Sequence, residues 1–138
     1  MSTRQILITQ TDRARLEKTF GLLAGQSHEE WHSIRRLENE LSGATVLDSK
    51  EIAPDIVTMN STVLLRDLDA GGDHVCTLVY PSYSALAEDK VSVLLPLGTA
   101  LLGSRIGETI TCSVADRARR FEIVDVLYQP EASGHYFL

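Results

Sequence analysis

The segment His28-Glu-Glu-Trp-His32 matches the His-Glu-x-x-His motif of zinc hydrolases. Histidines four residues apart share a helix face and can bind one Zn²⁺, while the glutamate acts as a base on metal-bound water. However, Ser27 and Glu30 form a capping box, so His28 lies in the first helical turn, and no third ligand follows at a family spacing. We interpret the segment as a solvated helix start and expect no metal and no cofactor. A small zinc-binding protein that uses His28 and His32 is the alternative.

Two amphipathic helices must position this segment. Thr9 is the predicted N-cap of the first helix, with Asp12 at the third helical position. The predicted apolar positions are Leu16, Phe20 and Leu23 in the first helix and Trp31, Ile34, Leu37 and Leu41 in the second. Because few residues separate the two patterns, residues 1–48 are predicted to form an antiparallel helical hairpin, a short coiled coil. Its tip would carry Glu29 and Glu30.

The hydrophobic period changes to that of strands after a polar joint that contains Pro54, and we place a domain boundary at residues 48/49. Strands are predicted at residues 62–68, 74–80, 91–95, 109–114 and 121–128, with a Gly-Gly turn between the first two. The basic cluster Arg117-Ala-Arg119-Arg120 is predicted to be a hairpin loop. Residues 49–138 therefore read as a small antiparallel β-sheet with one short helix, and the whole chain as an α+β protein.

The one short helix is predicted around Pro96, which must end a strand or lie at a sheet edge because proline donates no ladder hydrogen bond. Leu97, Ala100 and Leu101 follow at helical spacing. Gly103 stands where a helix C-terminus favours a residue with positive φ. The sequence thus predicts strand, proline, helical turn and glycine in that order.

The amino-acid composition limits the classes of partner that the protein is expected to bind. The 138 residues include 13 basic and 19 acidic side chains, a net charge of −6, so direct nucleic-acid binding is not expected. Cys76 and Cys112 lie in strand-like runs without metal spacing and are predicted to be small buried hydrophobic residues in a reducing compartment. No apolar run approaches the ~20 residues of a membrane helix, and the first residues lack signal-peptide features. We expect a cytoplasmic monomer without membrane association.

The order of elements around Pro96 resembles the C-terminal domain of the Gre transcript cleavage factors, which carry a Ser-Pro-x-Ala-x-Ala-Leu-x-Gly segment there. Three further segments are similar to a shorter, regulatory branch of this family that binds RNA polymerase. They are Asp55-Ile-Val-Thr-Met-Asn-Ser61, Thr77-Leu-Val-Tyr-Pro81 and Tyr128-Gln-Pro-Glu-Ala-Ser-Gly134. Together with residues 91–107 they extend in order from residue 55 almost to the end of the chain.

The resemblance implies a sheet domain like that of the FK506-binding proteins and a non-enzymatic role. The protein would bind bacterial RNA polymerase at the rim of the secondary channel, on a coiled coil of the β′ subunit, and compete with Gre factors. In that family the polymerase-binding edge corresponds to Leu94, Leu95 and Pro96, where two leucines replace a polar pair. If the leucines alternate across the sheet, one faces the core and the other is free to bind. The branch also implies an influence on nucleoside diphosphate kinase levels.

The resemblance leaves one enzymatic alternative. Acidic residues at the coiled-coil tip of Gre factors hold a metal ion that activates water for cleavage of backtracked RNA, and carboxylates suit Mg²⁺ because it takes hard oxygen ligands. Glu29 and Glu30 would take this role in a transcript cleavage factor. The predicted hairpin is much shorter than a Gre coiled coil, so we expect that it does not reach the catalytic centre. Both glutamates also complement the helix dipole in a first turn.

Overall fold

The computed structural model describes residues 6–23, 28–81, 89–114 and 116–135, with side chains in the second helix from Trp31 onward. The elements in chain order are β1 (Leu7–Thr9), α1 (Gln10–Leu23), α2 (His28–Ser42), β2 (Thr45–Leu47), β3 (Thr62–Asp67), β4 (Asp73–Val79), β5 (Lys90–Ser92), α3 (Pro96–Leu101), β6 (Thr109–Val114) and β7 (Arg117–Tyr128). The predicted capping residue Ser27 lies outside the described residues. The α+β class is confirmed.

The N-terminal part consists of α1 and α2 with a pair of three-residue strands at their base. β1 leads into α1, β2 follows α2, and the two strands pair in parallel. The predicted cap of α1 is confirmed, since the backbone N–H of Asp12 donates to Thr9 Oγ1 at 3.0 Å. The β1–β2 pair was not predicted, because three residues are too few to display a period.

The C-terminal part contains a five-stranded sheet in the order β5-β4-β3-β7-β6. The neighbours β4–β3, β3–β7 and β7–β6 are antiparallel, as predicted. The edge strand β5 pairs with β4 in parallel, so the prediction of a wholly antiparallel sheet was wrong. β5 also ends at Ser92 rather than at Leu95, because the chain turns there to begin α3.

One hydrophobic core connects the two parts. Side chains from α1 and α2 join those of the sheet and α3 in a single cluster, among them Leu16, Leu37, Val63, Leu101 and Ile123. Cys76 and Cys112 are buried free cysteines, as predicted. Trp31 was wrongly assigned to the apolar face of α2, since 47% of it is exposed and Arg35 lies 5.9 Å from its ring.

The basic cluster Arg117-Ala-Arg119-Arg120 is the first part of strand β7, so its assignment to a loop was wrong. Cross-strand carboxylates explain why a charged segment forms a strand here. Arg119 pairs with the buried Asp67, and Arg120 Nη2 lies 3.2 Å from Asp69 Oδ1. These pairs hold the start of β7 against the turn that follows β3.

Among the described residues, no helix is long and apolar enough to cross a membrane.

Candidate functional site

The three residues Leu94, Leu95 and Pro96, here called the docking loop, join β5 to α3 through a turn with few free backbone groups. The N–H groups of Leu94 and Leu95 donate to the Oγ and the carbonyl oxygen of Ser92, at 3.2 and 3.1 Å. Pro96 is the first residue of α3, a position where its fixed φ fits and its missing N–H costs nothing. The docking loop is therefore a defined turn.

Gly98 and Thr99 of α3 pack against, and hydrogen-bond to, the backbone in and before the docking loop. Thr99 Oγ1 donates to the Val93 carbonyl oxygen at 2.7 Å, and its backbone N–H donates to the Leu95 carbonyl oxygen at 2.9 Å. A Cβ on Gly98 would lie 2.0 Å from the carbonyl oxygen of Ser92, so only glycine allows this close approach. Gly103 has φ +79°, as predicted for the residue after the helix.

The two leucines of the docking loop face opposite ways. Leu94 is 7% exposed and belongs to the core, whereas Leu95 is 52% exposed. One leucine therefore faces the core and the other is exposed, although both lie in a turn after β5 and not in a strand. Leu95 and the half-buried Pro96 form the apolar surface of the turn.

Helix α2 contacts the docking loop directly, which the sequence analysis missed. The guanidinium of Arg36 donates from Nη2 to the Leu94 carbonyl oxygen at 3.1 Å. Arg36 lies on α2 at 58 positions from Leu94, and no local pattern reveals a side-chain bond to a backbone carbonyl so far along the chain. The bond brings the helices and the docking loop into one surface.

A groove of about 340 Å³ lies beside the docking loop, between α2, α3 and the edge strand β6. Its walls include Arg36, Glu40, Pro96, Ala100, Thr111 and Ser113. One basic and one acidic side chain from α2 thus stand opposite the hydroxyl groups of β6. This mixture can rim an apolar contact with polar groups.

The residues considered for metal chemistry lie elsewhere. The side chains of His28, Glu29 and Glu30 are outside the described residues, and His32 is exposed on the first turns of α2. Within the described part of the chain, no three His, Cys, Asp or Glu side chains group together as metal ligands would. Because the side chain of His28 is not among those described, the zinc alternative with His28 and His32 stays a prediction.

Comparison with known proteins identifies the family. Residues 52–128 match the family model of the C-terminal region of the transcription elongation factors GreA/GreB. The chain is 36% identical over its whole length, and over the whole length of the relative, to the regulator of nucleoside diphosphate kinase of Escherichia coli K12. It is 33% identical over 97 residues to the elongation factor GreA of Syntrophus aciditrophicus, which covers 70% of this chain and 60% of that factor.

A solved structure supports the same conclusion. The GreA/GreB elongation factor of Nitrosomonas europaea superposes on 90% of this chain and on all of its own, with a TM-score of 0.74 and 38% identity. The match extends beyond residues 52–128 and so includes helices as well as the sheet. The chain therefore belongs to the GreA/GreB transcription elongation factor family, in the group that includes the regulator of nucleoside diphosphate kinase.

Proposed function

We propose that the protein is a non-enzymatic regulator that binds bacterial RNA polymerase through the docking loop, at the rim of the secondary channel. The observation that carries this proposal is the exposed Leu95 beside the half-buried Pro96, an apolar tip on a turn that is held by hydrogen bonds on both sides. An ordered apolar anchor loses little conformational entropy on binding. The same edge is the polymerase contact that the Gre resemblance implies.

The chemistry of the surface favours a protein partner over nucleic acid. Leu95 and Pro96 supply an apolar centre, while Arg36 and Glu40 supply polar groups of both signs at the rim. A net charge of −6 gives no excess of positive charge for phosphates. We therefore assign the surface to a helical protein element such as the β′ coiled coil, in the cytoplasm where this partner acts.

The helices limit what the protein does once it is bound. We interpret residues 1–48 as a helical hairpin and residues 49–138 as a domain like that of FK506-binding proteins. α1 and α2 contain 14 and 15 residues, which at 1.5 Å per residue gives a reach of roughly 20 Å. The match to the GreA relative covers 60% of that factor. A short hairpin would occupy the channel mouth and exclude Gre factors without cleaving RNA.

A charge on the docking loop tests this proposal. Leu95→Asp places a carboxylate in the middle of the apolar tip and should weaken binding to purified RNA polymerase at least tenfold. Leu127→Asp is the matched control, because Leu127 is equally exposed, at 52%, but lies in β7. Both variants should keep the wild-type circular dichroism spectrum and unfolding midpoint. Equal affinity of the two variants would show that the docking loop is not the contact.

Competition tests the location on the polymerase. Wild-type protein should displace a labelled Gre factor from RNA polymerase in a concentration-dependent manner, and Leu95→Asp should require at least tenfold more protein. Simultaneous binding of both proteins to one polymerase would contradict the shared site. An influence on nucleoside diphosphate kinase, which the name of the Escherichia coli relative records, would then follow indirectly from altered transcription.

A further inference from the structure

A buried polar cluster connects the start of α1 to the C-terminal part of the protein. Asp12 is 1% exposed, and its Oδ2 accepts the backbone N–H of Met59 at 3.0 Å. Met59 lies in the segment that leads from the N-terminal part to β3. This carboxyl is therefore a direct polar tie between the two parts, reaching across 47 positions of sequence.

A second carboxyl belongs to the same cluster. Glu131, in the turn after β7, is 9% exposed, and its Oε1 accepts the hydroxyl of Thr58 at 2.7 Å. Thr58 directly precedes Met59, so the two carboxyl groups bind adjacent residues of one segment. Two negative charges in a region without solvent would repel each other, and each would lose its hydration.

The other polar and charged groups that face Asp12 belong to Arg15 in α1, to Thr9 directly before α1 and to Tyr80 directly after β4. Arg15, one helical turn further along α1, is the nearby positive charge, and the Tyr80 hydroxyl borders both side chains. Thr9 donates from the capping position. Burial of Tyr80 raises the pKa of its phenol, so the phenol stays neutral at physiological pH. The charge of Asp12 can therefore change near neutrality.

We propose that Asp12 and Glu131 form a proton-sensitive joint, which holds α1 against the 58–59 segment when Asp12 is protonated and loosens when it ionises. This inference goes beyond polymerase binding and concerns the free protein. In this proposal, the protonation state of the cluster determines how stably the helices are attached to the sheet part.

Burial is the largest cause of the proton affinity of Asp12. The pKa of Asp12 is raised from 3.8 to about 7, chiefly by loss of hydration and in part by Glu131, against the opposing effects of the Met59 N–H, Arg15 and Thr9. In an opened joint the carboxyl is hydrated and its pKa returns towards 3.8. Between pH 3.8 and about pH 7, Asp12 is therefore protonated when the joint is closed and ionised when it is open. Attachment is strongest below about pH 4 and weakens until about pH 7.

The first test observes Asp12 in the intact wild-type chain. A carbon-13 NMR titration of its carboxyl between pH 4 and pH 9 should give a midpoint near 7. Glu131→Gln keeps an acceptor for Thr58 but removes the neighbouring charge, so the midpoint should move downward. A wild-type midpoint near 4, or a midpoint that Glu131→Gln leaves unchanged, would overturn the proposal.

The second test measures the joint itself, through exchange of the Met59 amide hydrogen. Asp12→Asn keeps a carbonyl oxygen for that N–H but does not ionise. The ratio of the wild-type exchange rate to the Asp12→Asn rate, at each pH, should rise up to about tenfold per pH unit between about pH 4 and about pH 7. A ratio independent of pH would overturn the proposal. Neither measurement involves polymerase, so a failure here is separate from a failure of the docking proposal.

Discussion

Arg36 and Leu94 are joined by a hydrogen bond from the guanidinium Nη2 to the carbonyl oxygen, at 3.1 Å. A charged donor makes a stronger bond than a neutral one, and the acceptor belongs to the docking loop itself. α2 therefore holds the backbone of the loop from one side while Thr99 holds it from the other. A partner bound at Leu95 would therefore also be held in a defined orientation relative to α2.

Removal of the Arg36 guanidinium tests whether polymerase binding depends on the hydrogen-bonded backbone of the docking loop as well as on its side chains. Arg36→Met keeps the aliphatic stem and deletes the donor, at a stability cost of about 1 kcal/mol because the side chain is partly exposed. Polymerase affinity should fall several-fold although Leu95 is unchanged. Arg35→Met is the control, since Arg35 lies over Trp31 and not on the loop. Titration calorimetry would measure both, and equal affinities would show that Arg36 does not support the docking loop.

Local chemistry was enough to predict the start of α3 and the glycine that follows it, although not the end of β5 before Leu94 and Leu95. Pro96 begins α3 because its ring suits the first helical position, and Gly103 ends that region because it adopts φ +79°. The β3–β4 hairpin follows from alternation and from Gly71 and Gly72, both of which have positive φ. Each of these features is encoded within a few residues.

The features that were missed depend on partners far along the chain. Arg119 and Arg120 lie in a strand in which Asp67 and Asp69 pair with them from elsewhere in the chain. Asp12 was predicted as a helix-start residue, which is correct, but its burial depends on a backbone N–H at Met59. Neither the hydrophobic period of one segment nor the spacing of its residues reveals contacts with residues so far along the chain.

A glycine pair tests how tightly the docking loop is packed. Gly98→Ala would place a Cβ 2.0 Å from the Ser92 carbonyl oxygen, so α3 must shift, at a cost of about 3 kcal/mol. Gly21→Ala, in α1, meets nothing within 4 Å and should stabilise the protein by about 0.5–1 kcal/mol through its higher helix propensity. Urea unfolding followed by circular dichroism gives both values. Similar midpoints for the two variants would contradict the close packing of Gly98.

Acid should weaken the turn after β3. Asp67 is 3% exposed, and its Oδ1 accepts the N–H groups of Asp69 and Ala70, both at 2.9 Å. The Ala70 N–H first, then the Asp69 N–H and Arg119, hold the pKa of Asp67 below 3.8. A lowered folded-state pKa gives stability above the unfolded value, and this stability is lost as the pH falls through the folded value.

Asp67→Asn should therefore be less stable than wild type at pH 7 and should lose less stability on acidification to about pH 3. Asp73→Asn is the control, because Asp73 pairs with Arg66 in solvent, where both side chains are 51% exposed. Urea unfolding at a series of pH values measures the difference. Parallel pH profiles for wild type and Asp67→Asn would show that this carboxylate is not the source of the acid sensitivity.

Transcript cleavage distinguishes a regulator from a shortened cleavage factor. Helices of 14 and 15 residues, roughly 20 Å long, should stop short of the polymerase catalytic centre, so the protein should not stimulate RNA cleavage in backtracked complexes. The double variant Glu29→Ala/Glu30→Ala should bind polymerase as wild type does and should also leave the RNA uncut. A GreA factor in the same assay provides the positive control. Cleavage that appears with wild-type protein and disappears with the double variant would instead assign the two glutamates to a metal-dependent reaction, because carboxylates can hold a cation that activates water for hydrolysis of the RNA backbone.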